Sequence, residues 1–241
     1  MPTRLEDMSI AGAYMRVAVY YVRHVEPAAL PALAELGIGK SDDELPERVP
    51  VPNVLRFFEL AAELTQDPLF GLHFGSHVRL DDFPGYGLLM ASCGTFRSVL
   101  EQSMRFEGLC QDFGHSEIEV ISGQLHYRMR LHFDDSPAGL HHLECATAAG
   151  TRSSMNWLTR VPLSKKIAKV TFRGEQPSGT DLKEYERILG AQVSFGGKTT
   201  EARFPSVFLD MPLPGGNFTL FSELRKLAQR QLDQFIASQE P

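Results

Sequence analysis

Cysteine is scarce in this chain, and its scarcity excludes a class of folds. Cys93, Cys110 and Cys145 are an odd number with no CxxC spacing. A secreted disulfide framework is therefore set aside, and free thiols in a reducing cytoplasm are expected. Net positive charge is also missing: 24 Lys and Arg stand against 30 Asp and Glu, a formal charge of -6. Gripping nucleic acid through its phosphates needs a basic face, so this chain is not expected to hold DNA by itself. Its opening residues lack the cationic start and apolar run of a signal peptide. Arg16 and Arg23 interrupt their apolar stretch, so neither a secretion signal nor a membrane span is read there.

Reactive motifs are missing as well. No GxSxG elbow occurs, and Gly71, Gly75, Gly85 and Gly87 make neither GxGxxG nor a phosphate loop. Asp81-Asp82 and Asp134-Asp135 fall in turn-rich stretches, where turn chemistry accounts for them. Cys93 is the most exposed-looking thiol. Near a helix start it is either reactive through a lowered pKa or inert packing. His141, His142 and Cys145 share helical spacing and make a metal cluster only if a further ligand joins them, since adjacent histidines diverge. His126 and His132 lie on the polar side of a strand pattern, solvated or ion-paired, and His115 reads as a turn residue at a helix-to-strand corner. No catalytic residue, metal ligand or cofactor is assigned, and an enzyme is not expected.

What is present is the pattern of a folded domain. A length of 241 residues, 43% of them hydrophobic, suffices for a sizeable core. Ala11, Met15, Ala18, Val22 and Val25 recur at helical spacing and predict a helix over 10–24. Pro27 opens a second helix that Gly37 stops, and 41–53 is a polar, proline-rich loop. Asn53 caps a third helix through Leu64, and Pro68 starts a fourth ending near Gly75. Pro84, Gly85 and Gly87 break the pattern. Thr95 caps a long helix reaching Phe113, with Val99, Phe106, Cys110 and Phe113 as its inner stripe.

From Ser116 the period becomes two. Ile118 and Val120 alternate with Glu117 and Glu119. After Ser122-Gly123, Leu125, Tyr127, Met129, Leu131 and Phe133 alternate with Gln124, His126, Arg128, Arg130 and His132. A hairpin follows, its Glu and Arg sets facing one another. The pattern then predicts a helix over 137–160 carrying Trp157, a strand over 167–172 and a helix over 181–189 stopped by Gly190. A second hairpin pairs 192–195 with 201–204 around Gly196-Gly197. The tail from Phe218 is helical, with Phe221, Leu224, Ala228, Leu232 and Phe235 on one stripe. The fold class is α+β: a helical part (1–114), then an antiparallel sheet of about five strands with packed helices (115–217). A C-terminal helix (218–241) completes the chain.

Tyr86, Met90, Phe106, Tyr127, Met129 and Trp157 fall on elements facing the interior between helices and sheet. Each reads as plain core. As a set they also read as the lining of a mostly apolar pocket. Arg152 or Glu144, set in a helix of small apolar residues, would be its polar anchor.

The stretch DPLFGLHFGSHVRLDDFPGYGLLMASCGTFRSVLEQSMRFEGLCQDF holds three linked signals. They are Gly71, Leu72 and Gly75 in a short helix, then Gly85, Tyr86, Leu89 and Ser92, then a Thr95-started helix carrying Phe106. Further on come Val170 to Phe172, Tyr185, Leu189-Gly190 through Val193 and Phe195, and Pro212 to Pro214. In this order they resemble the N-terminal regulatory, arabinose-binding-like domain of AraC/XylS-type transcription regulators. Leu189 stands where an aromatic is usual, Gln192 where Pro is usual, and Gly215-Gly216-Asn217 replaces an acidic turn. The resemblance implies a cytoplasmic sensor of a small organic effector that forms a homodimer. DNA would be bound only through a C-terminal helix-turn-helix domain absent from this chain. No cofactor and no membrane partner are implied. The stripe from Phe221 to Phe235 would either pack on the domain or pair with a partner copy. Two other readings stand beside this one: a haem-binding module with His141 or His142 as axial ligand, and a ligand-free dimerisation domain.

Overall fold

The computed structural model describes residues 4–38, 45–83, 85–160 and 168–239. Pro84, positions 41–44 of the expected loop, Ile167 and the last two residues lie outside them. Helix α1 (Gly12–His24) starts two residues later than periodicity predicts. Ile10 instead sits opposite Val49 in a small ribbon of β1 (Ser9–Ala11) and β2 (Arg48–Pro50). Strand β2 and the start of α2 (Val51–Thr65) take up positions 48–53 of the expected loop. Prolines suit a helix start, where the missing N–H had no partner anyway. Pro52 therefore sits in the first turn of α2 just after the N-cap residue Pro50, and Asn53 lies within the helix and does not cap it. A 3-10 helix over Pro27–Leu36 ends at Gly37 in the left-handed region, as expected.

Helix α3 (Phe70–Ser76) follows Pro68. The expected break at Gly85 is a junction, because Gly85 at φ +76° leads directly into α4 (Tyr86–Ser92). Thr95 does cap α5 (Phe96–Arg105), accepting the Ser98 N–H at 3.2 Å. That helix ends well before Phe113, and the chain tightens into a 3-10 turn over Glu107–Leu109. The largest core cluster joins α1, the 3-10 helix, α2 and α3, with Phe57, Phe58 and Phe70 fully buried.

Helix α6 (Leu140–Thr159) is the spine between this helical layer and the sheet. It meets α3 at a crossing that only glycine permits. A Cβ at position 71 would stand 2.1 Å from the His142 carbonyl oxygen, and one at position 75 would stand 2.4 Å from that of Ala146.

The sheet has five strands in the order β3-β4-β7-β5-β6: β3 (Gly114–Ile121), β4 (Gln124–Leu131), β5 (Lys169–Arg173), β6 (Gln192–Gly197) and β7 (Thr200–Pro205). The first hairpin forms as expected. Ser122 and Gly123 both carry positive φ, the backbone a two-residue turn needs. Across it, Arg130 pairs with Glu117 at 2.7 Å and Arg128 with Glu119 at 3.0 Å. Phe133 lies beyond β4. His115 is within β3 and not at a corner, its Nδ1 standing 3.1 Å from His132 Nε2.

The second hairpin does not form. Residues 192–197 run parallel to β5, and β7 pairs antiparallel with β4 and β5 instead. The reason is the crossover: β5 leads through α7 (Leu182–Leu189) back to β6 on the same side, which makes β5 and β6 parallel. The turn after Gly197 then carries the chain around the end of β5, so β5 separates the two strands that sequence periodicity would pair. Asp181 caps α7, accepting the Lys183 N–H at 2.9 Å, and Gly190 ends it as expected.

Helix α8 (Phe218–Gln239) docks on its own domain. Ala228 is buried, with Phe221, Leu224 and Leu232 packed beside it against Met90, Phe106 and Leu213. Arg48 lies 4.5 Å from the centre of the Phe235 ring. Among the described residues no helix is long and apolar enough to cross a membrane.

Candidate functional site

A cavity of about 280 Å³ opens between α4, α5, α6 and the inner face of the sheet. Its existence follows from side-chain size. Strand alternation turns Tyr127 and Met129 of β4 and Ala202 and Phe204 of β7 inward. The opposing face of α6 offers Ala146, Thr147, Gly150, Thr151 and Ser154. Aromatic walls facing a helix of small residues leave space between them, and Phe83, Tyr86, Phe96 and Phe113 close it.

Polar groups gather near the turn after α5. Both carboxylate oxygens of Glu107 accept the backbone N–H of Ser116, at 2.9 and 3.1 Å. The Ser116 hydroxyl stands 2.8 Å from the Tyr127 hydroxyl, and the Tyr14 hydroxyl bonds to the Cys110 thiol. Loss of water around the Glu107 carboxyl raises its pKa to about 7, against the Ser116 hydrogen bonds that lower it. Burial also pushes the Cys110 thiol up to about 12 and the Tyr86 phenol well above its usual range. None of these groups is a ready nucleophile.

A smaller cavity of about 110 Å³ adjoins the first and shares Tyr127, Met129, Met155, Ala202 and Phe204 with it. Glu144 and Arg152 line this one. The Glu144 carboxylate accepts the Thr200 hydroxyl at 2.8 Å, and burial raises its pKa. The Arg152 Nε–H donates to the Leu189 carbonyl at 2.9 Å.

Tyr86, Met90, Tyr127 and Met129 therefore line the larger cavity, and Glu144 and Arg152 the smaller. Phe106 is fully buried in the core behind the wall. Trp157 does not face the interior: it is 46% exposed on the outer side of α6 and lines neither cavity. Cys93 is fully buried, not exposed, and burial raises its thiol pKa.

His141 and His142 are engaged in packing. The Tyr185 hydroxyl stands 2.7 Å from His141 Nε2, and the Gly71 N–H donates to His142 Nδ1 at 3.4 Å. Neither histidine lines either of these two cavities. Among the described residues no group of three or more His, Cys, Asp and Glu is placed to hold a metal ion. His126 is buried, its Nδ1 lying within hydrogen-bond distance of Glu201 Oε1 at 2.7 Å.

Glu107 is the residue the sequence did not reveal. On a helix continuing to Phe113 it would sit off the buried stripe. The tightened turn over 107–109 is what brings its carboxylate to the cavity wall, and periodicity carries no sign of that turn.

The family described as the arabinose-binding domain of AraC transcription regulator, N-term, matches residues 28–213. No curated protein matches the chain. Among solved structures, the transcriptional regulator CdpR from Pseudomonas aeruginosa superposes with a TM-score of 0.61 at 19% identity. The match covers 83% of this chain and 61% of that one, so this chain spans less than two thirds of that regulator. At such identity the likeness speaks for the fold alone.

Proposed function

Because this chain belongs to the family of N-terminal arabinose-binding domains of AraC transcription regulators, we propose that it senses a small organic effector in the cavity beneath its sheet. It would thereby control a DNA-contacting region elsewhere in a cytoplasmic regulator. The observation that carries this reading is the cavity itself: mostly apolar walls with a small number of polar groups among them, the usual make-up of a ligand site.

Helix α4 gives the site a route outward. Tyr86 and Met90 line the cavity, and the same short helix packs against the α8 stripe through Leu89, Met90 and Cys93. The stripe Phe221, Leu224, Ala228, Leu232 and Phe235 serves docking in the arrangement described. Pairing two copies through that stripe would require α8 to leave its seat. Docked monomer and paired dimer are then two alternatives, and an effector shifts their balance only by binding one more tightly than the other.

A thermal-shift screen of the domain against a metabolite library tests this reading. A ligand binding only the folded state at a hundred times its Kd adds about 2.7 kcal/mol to stability, roughly a 5–10 °C rise for a chain of this size. A chemically related set of hits that also changes the oligomeric state in light scattering supports the proposal. A well-folded domain with no hits would refute it.

A further inference from the structure

We propose that the effector is a hydrophobic amine, its ammonium group seated against Glu107 and its apolar body against the aromatic wall. This inference rests on the cavity being the sensor site, as proposed above.

Charge in the cavity lining selects the ligand. Among the described residues that line the larger cavity there is one ionisable carboxylate, Glu107, and no Lys, Arg or His. Glu107 makes no ion pair among the described residues. Its two oxygens accept only from Ser116, which leaves lone pairs free for a donor in the cavity. A carboxylate or phosphate ligand would enter this space with no cation to meet it and one carboxylate to repel it. Desolvating an unpaired charge in an apolar site is strongly unfavourable. A ligand bringing its own positive charge supplies the missing partner, and charge-assisted hydrogen bonds are the strong ones. The hydroxyls of Tyr127 and Ser116 stand beside the same carboxylate and can accept further ammonium protons. The rest of the lining includes Phe58, Phe74, Phe83, Phe96 and Phe113, which favour an aromatic or alkyl body.

The smaller cavity offers no comparable anion site. Its Lys169 is exposed, and its Arg203 is held by Glu201 at 2.6 Å. Arg152 there is bonded to the Leu189 carbonyl, and Glu144 and Glu201 line the same space.

The experiment uses three probes of one size: phenylbutylamine, phenylbutanol and phenylbutyrate, titrated calorimetrically into the domain near pH 8, above the Glu107 pKa of about 7 and with the amine still protonated. The amine is expected to bind at least about tenfold more tightly than the alcohol, the worth of one charge-assisted hydrogen bond, and the acid most weakly. Glu107→Gln keeps an acceptor for the Ser116 N–H and should bring amine and alcohol to equal affinity. Equal affinities for all three probes in the unaltered domain would overturn the amine inference while leaving a ligand cavity in place. Tightest binding by phenylbutyrate, lost in Arg152→Met, would overturn it in favour of an anion site in the smaller cavity. Failure of all three to bind to folded protein would overturn this inference together with the cavity as sensor site.

Discussion

Replacing Gly71 with alanine is the sharpest test of how the two layers are joined. The new methyl would lie 2.1 Å from the His142 carbonyl oxygen and 2.6 Å from its Cα and carbonyl carbon, all backbone atoms of α6. Ordinary contact begins near 3.4 Å, so α3 must retreat from α6 by about 1.3 Å. A gap of about 0.5–1 Å already forfeits a quarter to a half of a contact's dispersion energy, so a retreat of this size loses more than half along the seam. Overpacking of this kind costs about 3 kcal/mol. The better helix propensity of alanine returns about 1 kcal/mol, leaving a net loss of about 2 kcal/mol. For a chain of this length that lowers Tm by roughly 4–8 °C, read by scanning calorimetry. Gly94→Ala is the matched control. Its Cβ would meet nothing within 4 Å, so its effect should stay within about 0.5 kcal/mol. A double change at Gly71 and Gly75 should cost less than the two singly, because one retreat of α3 relieves both clashes. A Gly71→Ala protein that melts with the unaltered domain or above it would refute the reasoning.

Two further outcomes follow from buried polar groups. Burial, reinforced by neighbouring His142, lowers the pKa of His141 to about 4, against about 6.5 in an unfolded chain. Between those values the unfolded state binds a proton that the folded state refuses, so stability falls as pH drops from about 6.5 towards about 4. By about pH 5 the loss is about 2 kcal/mol. His141→Gln should abolish it, and an unchanged gap between the two melting curves at neutral and acid pH would count against the assignment. Arg48 bonds to Ser9 and Asp112 and lies over Phe235 of α8. Arg48→Met should cost about 2–3 kcal/mol by removing the cation paired with the largely buried Asp112 carboxylate, which keeps its hydrogen bonds from Ser9. It should also speed amide exchange in the last turns of α8 more than in the first, and uniform protection along α8 would contradict that link.

Much of the fold was legible because its signals are local. Thr95 and Asp181 cap helices, Gly37 and Gly190 end them, and Ser122-Gly123 turns a hairpin whose alternation sets every inward residue of β4. Strand partnership beyond that hairpin was not legible. It depends on a crossover through α7, and residues near in sequence at 192–205 belong to strands that never meet. The candidate site divides along the same line. Tyr86, Met90, Tyr127 and Met129 are placed by strand alternation or a helix start, and they line the cavity. Trp157 fails because an apolar helix has two faces, and residue type alone does not say which one turns inward. Several positions that carry the family resemblance prove to be structural. Gly71 and Gly75 permit a helix crossing, Ser92 bonds to the Leu89 carbonyl, and Tyr185 meets His141 in the core.

An effector seated in the cavity must touch the inner face of the sheet. Ala202 lies on the inner face of β7 and lines both cavities, so Ala202→Phe would fill that space from a strand that tolerates an aromatic. The measurement is a calorimetric titration of this variant with the compound giving the largest thermal shift in the screen. The account predicts a folded protein whose affinity falls by about tenfold or more. Unchanged affinity in that variant would place the effector elsewhere and contradict the account.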